Sequence, residues 1–437
     1  MNPFLDNSFK VRWTKMTYDC VRPDIGEAIK LAEAGLEAIR SIDPALANYD
    51  NVFEALEDAT DELSRPWARV NHLEEVCDSP EMRAAYNDVL PEVSAFYARI
   101  PLDERLWKSV HAASLNPGAM KLDEAQNRFV GETLKDFLDA GAELSSDKKD
   151  RLQQLQSELS ALTQKFSENV LDSTNAFELV VEDPALLSGL PAHAREAARR
   201  DALRKGHGTE ANPKWRFTLQ SPSYGPAMQY LDSDEMRRQL YEGFTRIGRT
   251  APYDNTELIW KILELRNEKA LLLGKASFAD VTTARRMAGS GRAALDFVED
   301  MHKRISPAFV REIRGLEEFK AARTGKPVEH LQIWETSYWM EKLRRERYDF
   351  DEEKLRPYFA IQGVISGMFR IVEGLFGLRI VELTGEDKPE VWHPDVRFYD
   401  LFDAGSDTHL GSFYTDWHPR ASKRSGAWMD GLITGVA

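Results

Sequence analysis

The chain has 437 residues, with 57 Lys and Arg against 72 Asp and Glu, so its formal net charge is −15. Hydrophobic residues make up 42% of it, which is enough to bury a sizeable core in about three domains or one continuous helical body. Acidity spread along the chain argues against nucleic acids and anionic membranes as partners. Two cysteines, Cys20 and Cys77, are too few for a disulfide framework and suit a reducing compartment.

The sequence shows neither a secretory signal nor a membrane span. No basic region followed by an apolar run occurs at the amino terminus. The densest apolar stretch, residues 364–383, is interrupted by Arg370, Glu373 and Arg379, which would be costly in lipid. We therefore expect a soluble, cytoplasmic protein without membrane contacts.

Helical periodicity dominates the first third of the chain. Between residues 24 and 42, apolar residues recur at steps of three and four, which places them on one face of a helix. Asp24 is predicted to be the N-cap of this helix, with Glu27 as its capping-box partner. The residues of the apolar face are Ile25, Ile29, Ala32, Leu36 and Ile39.

Two further helices are predicted downstream. Asp123 and Gln126 form a second capping box, and Gly141 is a suitable residue for ending that helix. A coiled-coil-like apolar seam then follows Ser145 and Ser146. Its residues are Leu152, Leu155, Leu159, Leu162 and Phe166.

Strand signals are short and fall in two places. Alternating residues predict strands near 177–181 and 215–219, followed by helices from about Ser233 to Gly377. Beyond Gly377, strands are predicted at 380–383, 396–403 and 410–416. We therefore predict a mainly α fold, a large helical body with a small antiparallel β region near the carboxyl end. The predicted division is 1–175 (helical), 176–232 (hairpin-like), 233–377 (helical) and 378–437 (β region).

Residue chemistry alone identifies no active site. A zinc peptidase usually carries His-Glu-x-x-His on a helix, and none of the nine histidines begins that motif. His72, Glu75 and Cys77 are the nearest imitation, and we expect solvated or capping roles for them. The Ser-x-x-Lys at 145–148 is better explained as a helix cap than as a nucleophile with its base. The glycine pairs at 206–208 and 289–291 lack the context of a phosphate-binding loop.

The last eighty residues carry a specific resemblance. Residues 391–399 (VWHPDVRFY), 411–416 (GSFYTD) and 423–430 (KRSGAWMD) resemble consecutive segments of the thimet oligopeptidase family of zinc metallopeptidases, which includes oligopeptidase A. Earlier segments agree in order and spacing, so the similarity spans the whole chain. These are Asn2-Pro3, residues 169–174 (NVLDST) and residues 355–359 (LRPYF).

The resemblance implies a fold and a function. In that family a large helical body, with a small β-sheet near the zinc, encloses a channel that admits short unfolded peptides. The His-Glu-x-x-His helix, a third acidic ligand and the carbonyl-polarising tyrosines lie downstream of the Gly-Ala-Trp-Met segment. This sequence stops at Ala437, so residues 378–437 would begin an incomplete catalytic domain. We expect no catalytic residue, no metal ligand and no cofactor in this chain alone, and zinc only in the complete family enzyme.

One substrate-binding segment is implied by the resemblance. Ser425, Gly426 and Ala427 would lie on a strand where an extended peptide pairs with exposed backbone groups. The alternative is that Gly426 only serves a bend and Trp428 is core. This sequence departs from the family at Ser425, commonly glycine, and at His418-Pro419, where proline removes a donor. By the same resemblance, His393 is expected to fix the start of a strand and not to bind metal.

Three hypotheses follow. The first is the amino-terminal portion of an oligopeptidase-A-like zinc peptidase, inactive alone, either truncated or completed by a second chain that carries the zinc-binding helix. The second is a noncatalytic protein that binds short peptides or regulates an intact relative. The third is a helical scaffold, which the seam at 152–166 would support.

Overall fold

The computed structural model of the protein describes residues 2–116 and 122–433. Its α-helices are α1 (Tyr18–Arg40), α2 (Ala55–Val76), α3 (Pro80–Arg99), α4 (Glu104–Leu115), α5 (Glu124–Ala140), α6 (Ser146–Ala176), α7 (Ala192–Arg204), α8 (Ser221–Tyr230), α9 (Asp234–Thr245), α10 (Thr256–Leu272), α11 (Phe278–Thr283), α12 (Gly291–Thr324), α13 (Ile333–Tyr348) and α14 (Ile361–Phe376). Its strands are β1 (Leu179–Val181), β2 (Trp215–Phe217), β3 (Leu378–Leu383), β4 (Arg397–Asp403) and β5 (His409–Thr415). The predicted mainly α fold with small antiparallel sheets is confirmed.

Two compact units make up the chain, and each is assembled from separate segments. The first consists of Met1–Lys165, Leu258–Gly291 and Arg379–Ala437. The second consists of Phe166–Glu257 and Arg292–Leu378. The linear division into four regions stays a prediction about domain organisation.

The first predicted capping box does not exist. Helix α1 begins earlier, with Thr17 at the N-cap position, so Asp24 lies inside the helix. There Asp24 is 2% exposed, and its carboxylate accepts a hydrogen bond of 2.8 Å from the backbone N–H of Phe4. Glu27 instead pairs with Lys30 on the helix surface. Burial raises the pKa of Asp24 despite this hydrogen bond. Asp24 therefore does not cap the helix. Its carboxylate holds the start of the chain through the hydrogen bond with Phe4.

A buried arginine completes that anchor. Arg69 of α2 is 1% exposed and donates to the carbonyl oxygens of Phe4 and Asp6, each at 2.7 Å. Phe4 itself is fully buried in the core that α1 and α2 share. The amino-terminal segment is thus fixed by backbone hydrogen bonds to two buried charged side chains.

Helices α5 and α6 follow the sequence prediction. Asp123 accepts from the Gln126 N–H at 2.8 Å, and Gln126 accepts from the Asp123 N–H at 3.0 Å, which is the predicted capping box. Gly141 ends α5 with φ +101°, and a Cβ there would meet Leu144 at 2.8 Å. The seam of α6 packs on α10 within the first unit. Buried in this contact are Leu152, Leu155, Leu159, Ile262 and Leu265.

Both small sheets contain antiparallel strand pairs. In the second unit β1 pairs with β2, with Val181 opposite Trp215, and α7 lies in the connection between them. The other sheet has the order β3-β4-β5, and β5 runs antiparallel to β4 from Thr415 opposite Arg397. The turn at 404–408 joins these two strands, as predicted.

Within the described ranges, no single helix is long and apolar enough to cross a membrane. One bent pair of segments, Glu352–Tyr358 with Ile361–Phe376, passes that test by length and composition alone.

Candidate functional site

The segment that follows β5 is anchored by one buried carboxylate. Asp416 accepts hydrogen bonds from the indole N–H of Trp392 at 3.0 Å and from both terminal nitrogens of Arg420, at 2.7 and 2.6 Å. The Lys423 ammonium lies 3.2 Å from the same carboxylate. Burial alone would raise the pKa of Asp416, but the hydrogen bonds from Arg420 and Trp392 hold it well below its usual range. Asp416 is therefore ionised and ties residues 416–423 together.

This segment covers the carboxyl end of α2. The backbone N–H of Arg424 donates to the Glu75 carbonyl at 2.8 Å, and the Asp78 N–H donates to the Ser422 carbonyl at 2.9 Å. Arg420 also donates to the Val76 carbonyl at 3.3 Å. The last carbonyls of a helix have no partner within the helix, so the segment satisfies groups that would otherwise be left open.

His72 lies buried between two tryptophans beneath this segment. It is 8% exposed, and its ring centroid lies 4.2 Å from that of Trp392 and 5.1 Å from that of Trp13. Among the described residues neither ring nitrogen has a hydrogen-bond partner. Burial lowers the pKa of His72 to about 4, so the imidazole is neutral near pH 7.

The three candidate metal ligands on α2 do not converge. The Glu75 carboxylate pairs with the Arg424 guanidinium, and burial raises the pKa of Glu75. The Cys77 thiol faces the Trp392 carbonyl at 3.5 Å, and burial raises its pKa. His72 is enclosed by aromatic rings. His72 and Glu75 are thus buried within the first unit and do not have the solvated or capping role expected from sequence, whereas Cys77 is the C-cap residue of α2.

The predicted substrate-binding residues lie directly beyond Arg424. Ser425, Gly426 and Ala427 are all exposed and form a bend, so the expected strand is not present there. Gly426 has φ +109°, in the left-handed region that excludes an extended strand at this residue. The guanidinium carbon of Arg424 lies 4.5 Å from the centroid of the Trp428 ring, so the residues on the two sides of the bend are in contact. Within residues 2–116 and 122–433, the backbone groups of 425–427 form no hydrogen bond.

His393 lies four residues before the start of β4, and its sequence neighbours Asp395 and Val396 are its polar partners among the described residues. Its Nδ1 accepts a hydrogen bond from the Asp395 N–H at 3.2 Å, and its carbonyl accepts one from the Val396 N–H at 3.0 Å. These contacts shape the chain before the strand begins.

Known proteins resemble both ends of this chain. Residues 28–149 match the family described as Neurolysin/Thimet oligopeptidase, N-terminal domain, and residues 227–436 match Peptidase family M3. Two separate parts of the chain thus resemble domains of thimet oligopeptidase and M3 peptidases.

Several curated proteins align with nearly the whole chain. Organellar oligopeptidase A, chloroplastic/mitochondrial, of Arabidopsis thaliana is 35% identical over 99% of this chain and 54% of its own length. Oligopeptidase A of Escherichia coli is 33% identical over 99% of this chain and 62% of its own length. Dipeptidyl carboxypeptidase of Salmonella typhimurium is 29% identical over 99% of this chain and 63% of its own length. The chain thus spans between 54% and 63% of the length of these three relatives.

The residues described here do not fit the zinc that M3 metallopeptidases imply. A zinc site needs three or four His, Cys or carboxylate ligands converging on one point. Across residues 2–116 and 122–433, no group of three or more such side chains could hold a metal ion. We therefore assign no step of catalysis through zinc to these residues.

Replacing Asp416 by Asn should destabilise the first unit. The change leaves Arg420 and Lys423 without their shared anion in a site where Asp416 is only 10% exposed. We expect a loss of roughly 2–3 kcal/mol of unfolding free energy. Urea denaturation followed by circular dichroism measures it. Asp395→Asn, at a half-exposed carboxylate, is the matched control and should cost under about 0.5 kcal/mol. Equal effects of both variants would contradict the anchor.

His72 should make the fold sensitive to acid. Because its folded pKa of about 4 lies below the ordinary value of 6.5, the unfolded state binds the proton more readily. The stabilisation is fully present above pH 6.5 and is lost as the pH falls toward 4. Its upper limit is about 3 kcal/mol.

The measurement is the unfolding free energy of wild type and His72→Phe between pH 7 and pH 4.5. Phenylalanine keeps an aromatic ring between the tryptophans and cannot titrate, so its curve should fall less steeply. His302→Gln changes an exposed histidine and should follow wild type. Parallel curves for His72→Phe and wild type would show that His72 is not the acid-sensitive group.

Proposed function

We propose that these residues form the amino-terminal portion of an oligopeptidase-A-like zinc metallopeptidase that acts on short peptides. The observation that carries this proposal is the 33–35% identity to proteins named oligopeptidase A over 99% of the chain. A relative named probable cytosolic oligopeptidase A, at 35% identity, supports a cytoplasmic location.

We further propose that this polypeptide does not hydrolyse peptides by itself. Zinc-dependent hydrolysis requires a metal that polarises the scissile carbonyl and lowers the pKa of its bound water. The His-Glu-x-x-His motif is absent from the sequence, and the described side chains do not gather into a metal site. The zinc ligands would have to come from another polypeptide segment.

Exposed apolar stripes on two helices of the second unit support such a complementing segment. On α14 five residues at steps of three and four are 45% to 72% exposed, while only Ile365 is buried. Helix α12 carries a similar exposed stripe. Helices with unpaired stripes at this spacing normally pack against another helix. The stripes are Ile361, Val364, Met368, Ile371 and Leu375 on α14, and Val298, Met301, Ile305 and Phe309 on α12.

The bend at 425–427 is our candidate for contact with the peptide backbone. Its side chains are small and its backbone groups have no hydrogen bond within the described ranges, which leaves room for an extended peptide to approach. Ser425 is not among the described non-glycine residues with positive φ, so its side chain adds no backbone strain at this position. Pro419 precedes the contacts with α2 and takes no part in them.

A noncatalytic peptide-binding role is the second candidate. It is favoured by the same two observations, an accessible backbone segment and no side-chain cluster able to hold a metal in the described ranges. Saturable binding without cleavage, in the absence of any complementing polypeptide that restores cleavage, would distinguish it from the first proposal.

One fluorescent short peptide, quenched until cleaved, tests binding and hydrolysis together. With zinc supplied, we expect the purified chain to bind the peptide, which raises its fluorescence polarisation, without any time-dependent release of fluorescence. Ala427→Trp, which blocks close approach to the backbone, should weaken binding about tenfold.

Ala404→Trp provides the matched control, because Ala404 is also an exposed alanine of the first unit and lies in the turn between β4 and β5. It should bind like wild type. Chelator-sensitive turnover by the chain, absent from a mock purification of the same host, would overturn the proposed inactivity. Equal binding by both tryptophan variants would remove the 425–427 segment from the peptide site.

A further inference from the structure

A cavity in the first unit lies beside the amino-terminal turn of α6. Its volume is about 400 Å³, and its walls come from α1, α3, α4 and α6 and from the residues that join α3 to α4. This is within the range of small-ligand pockets and is large enough for an amino acid or a dipeptide. The residues that line it are distant in sequence from the segment at 425–427. A ligand could bind in this cavity whether or not the chain has the proposed peptidase function.

Most charges in the wall are already paired. Arg40 donates to Glu33 at 2.7 Å and to Asp103 at 2.8 Å. Arg105 donates to Glu37 at 2.8 Å. The guanidinium groups of the wall therefore have anionic partners within the protein.

Among the cations of the wall, Lys149 is the exception. It is only 7% exposed, yet in the described parts of the chain its ammonium has neither a hydrogen-bond acceptor nor an ion-pair partner. It lines the cavity and is not among the fully enclosed polar atoms, so its ammonium reaches the cavity space. The ammonium has no counter-charge among the described residues, and an anion placed in the cavity would provide one.

The helix geometry adds to this preference for an anion. Lys149 lies in the first turn of α6, a helix of 31 residues, and Ser146 at its first position also lines the cavity. The helix dipole favours negative charge at such a turn, and there the Asp147 carboxylate already accepts hydrogen bonds from the backbone N–H groups of Asp147 and Lys148. A carboxylate bound in the cavity would meet the Lys149 ammonium close to this positive end of the helix.

Two carboxylates in the same wall remain unpaired. Asp150 and Glu104 both line the cavity, and neither forms an ion pair among the residues described. A simple anion would be repelled by them. A molecule that carries an ammonium group as well as a carboxylate would satisfy both signs of charge at once.

We infer that this cavity binds a small zwitterion, a free amino acid or a dipeptide, with its carboxylate on Lys149 and its ammonium group on Asp150 or Glu104. A free amino acid and a dipeptide carry the same two charged end groups. The experiment distinguishes these two ligands by comparing a single residue with a dipeptide.

Isothermal titration calorimetry of the full chain tests the inference with L-alanine and alanyl-alanine as probes. We expect at least one probe to bind saturably with a Kd below about 10 mM. The probe that binds more tightly shows whether the ligand is an amino acid or a dipeptide. Acetate and ethylamine each carry only one of the two charges and should bind at least about tenfold more weakly. Lack of saturation by both probes, or acetate binding as tight as the better probe, overturns the inference.

Substitutions locate the binding. Lys149→Met should weaken the better probe about tenfold, whereas Lys149→Arg should retain most of the affinity. Lys148→Met, at the exposed neighbouring lysine, is the matched control and should bind like wild type. Asp150→Asn removes an exposed carboxylate with little risk to folding and should also weaken binding.

Thermal unfolding of each variant shows whether it is folded. Equal affinity in Lys149→Met and wild type, or an equal loss in Lys148→Met and Lys149→Met, would contradict the assignment. The Ala427→Trp variant should leave dipeptide binding in the cavity unchanged, so failure here is distinguishable from failure of the proposed peptide site.

Discussion

The buried carboxylate of Asp416 is the interaction on which the proposed peptide-binding segment depends. It joins Trp392, which precedes β4, to Arg420 and Lys423 in the segment after β5. With Arg420 held in this way, the following residues reach the carbonyl groups at the end of α2. The bend at 425–427 therefore begins from a fixed point, because a charge that is fully paired in a buried site resists displacement.

Sequence patterns predicted the ends of α5 correctly because the signals that begin and end this helix lie in neighbouring residues. The box of Asp123 and Gln126 and the left-handed Gly141 need only neighbouring residues, and both are present as predicted. The same pattern at Asp24 and Glu27 was wrong because the chain start folds back and supplies the Phe4 N–H as a partner. A single sequence contains no signal for that distant contact.

The candidate site shows the same limit. Resemblance indicated the segment at 425–427 and predicted a strand, but the left-handed Gly426 turns the backbone into a bend. The sequence predicted a solvated or capping role for His72, whereas its enclosure by Trp13 and Trp392 depends on residues more than three hundred positions apart. The sequence analysis did not identify Lys149, because its place in the wall of a cavity depends on the packing of four helices.

Exposed apolar stripes and charges without an ion-pair partner both occur among the described residues, and they have different physical meanings. The apolar stripes of α12 and α14 expose hydrocarbon to water, which favours a protein surface as the partner. The unpaired charges at Lys149 and Asp150 favour instead a small polar molecule. Both expected partners are inferred from groups that lack a partner among the described residues. Neither inference requires this chain to catalyse a reaction alone.

The central claim is that these residues provide a peptide-binding surface without the ligands of the catalytic zinc. Equilibrium dialysis of the purified full chain against micromolar zinc, followed by atomic absorption, measures this directly. The account predicts far less than one zinc ion retained per chain after exchange into metal-free buffer. One tightly retained zinc ion per chain would contradict it.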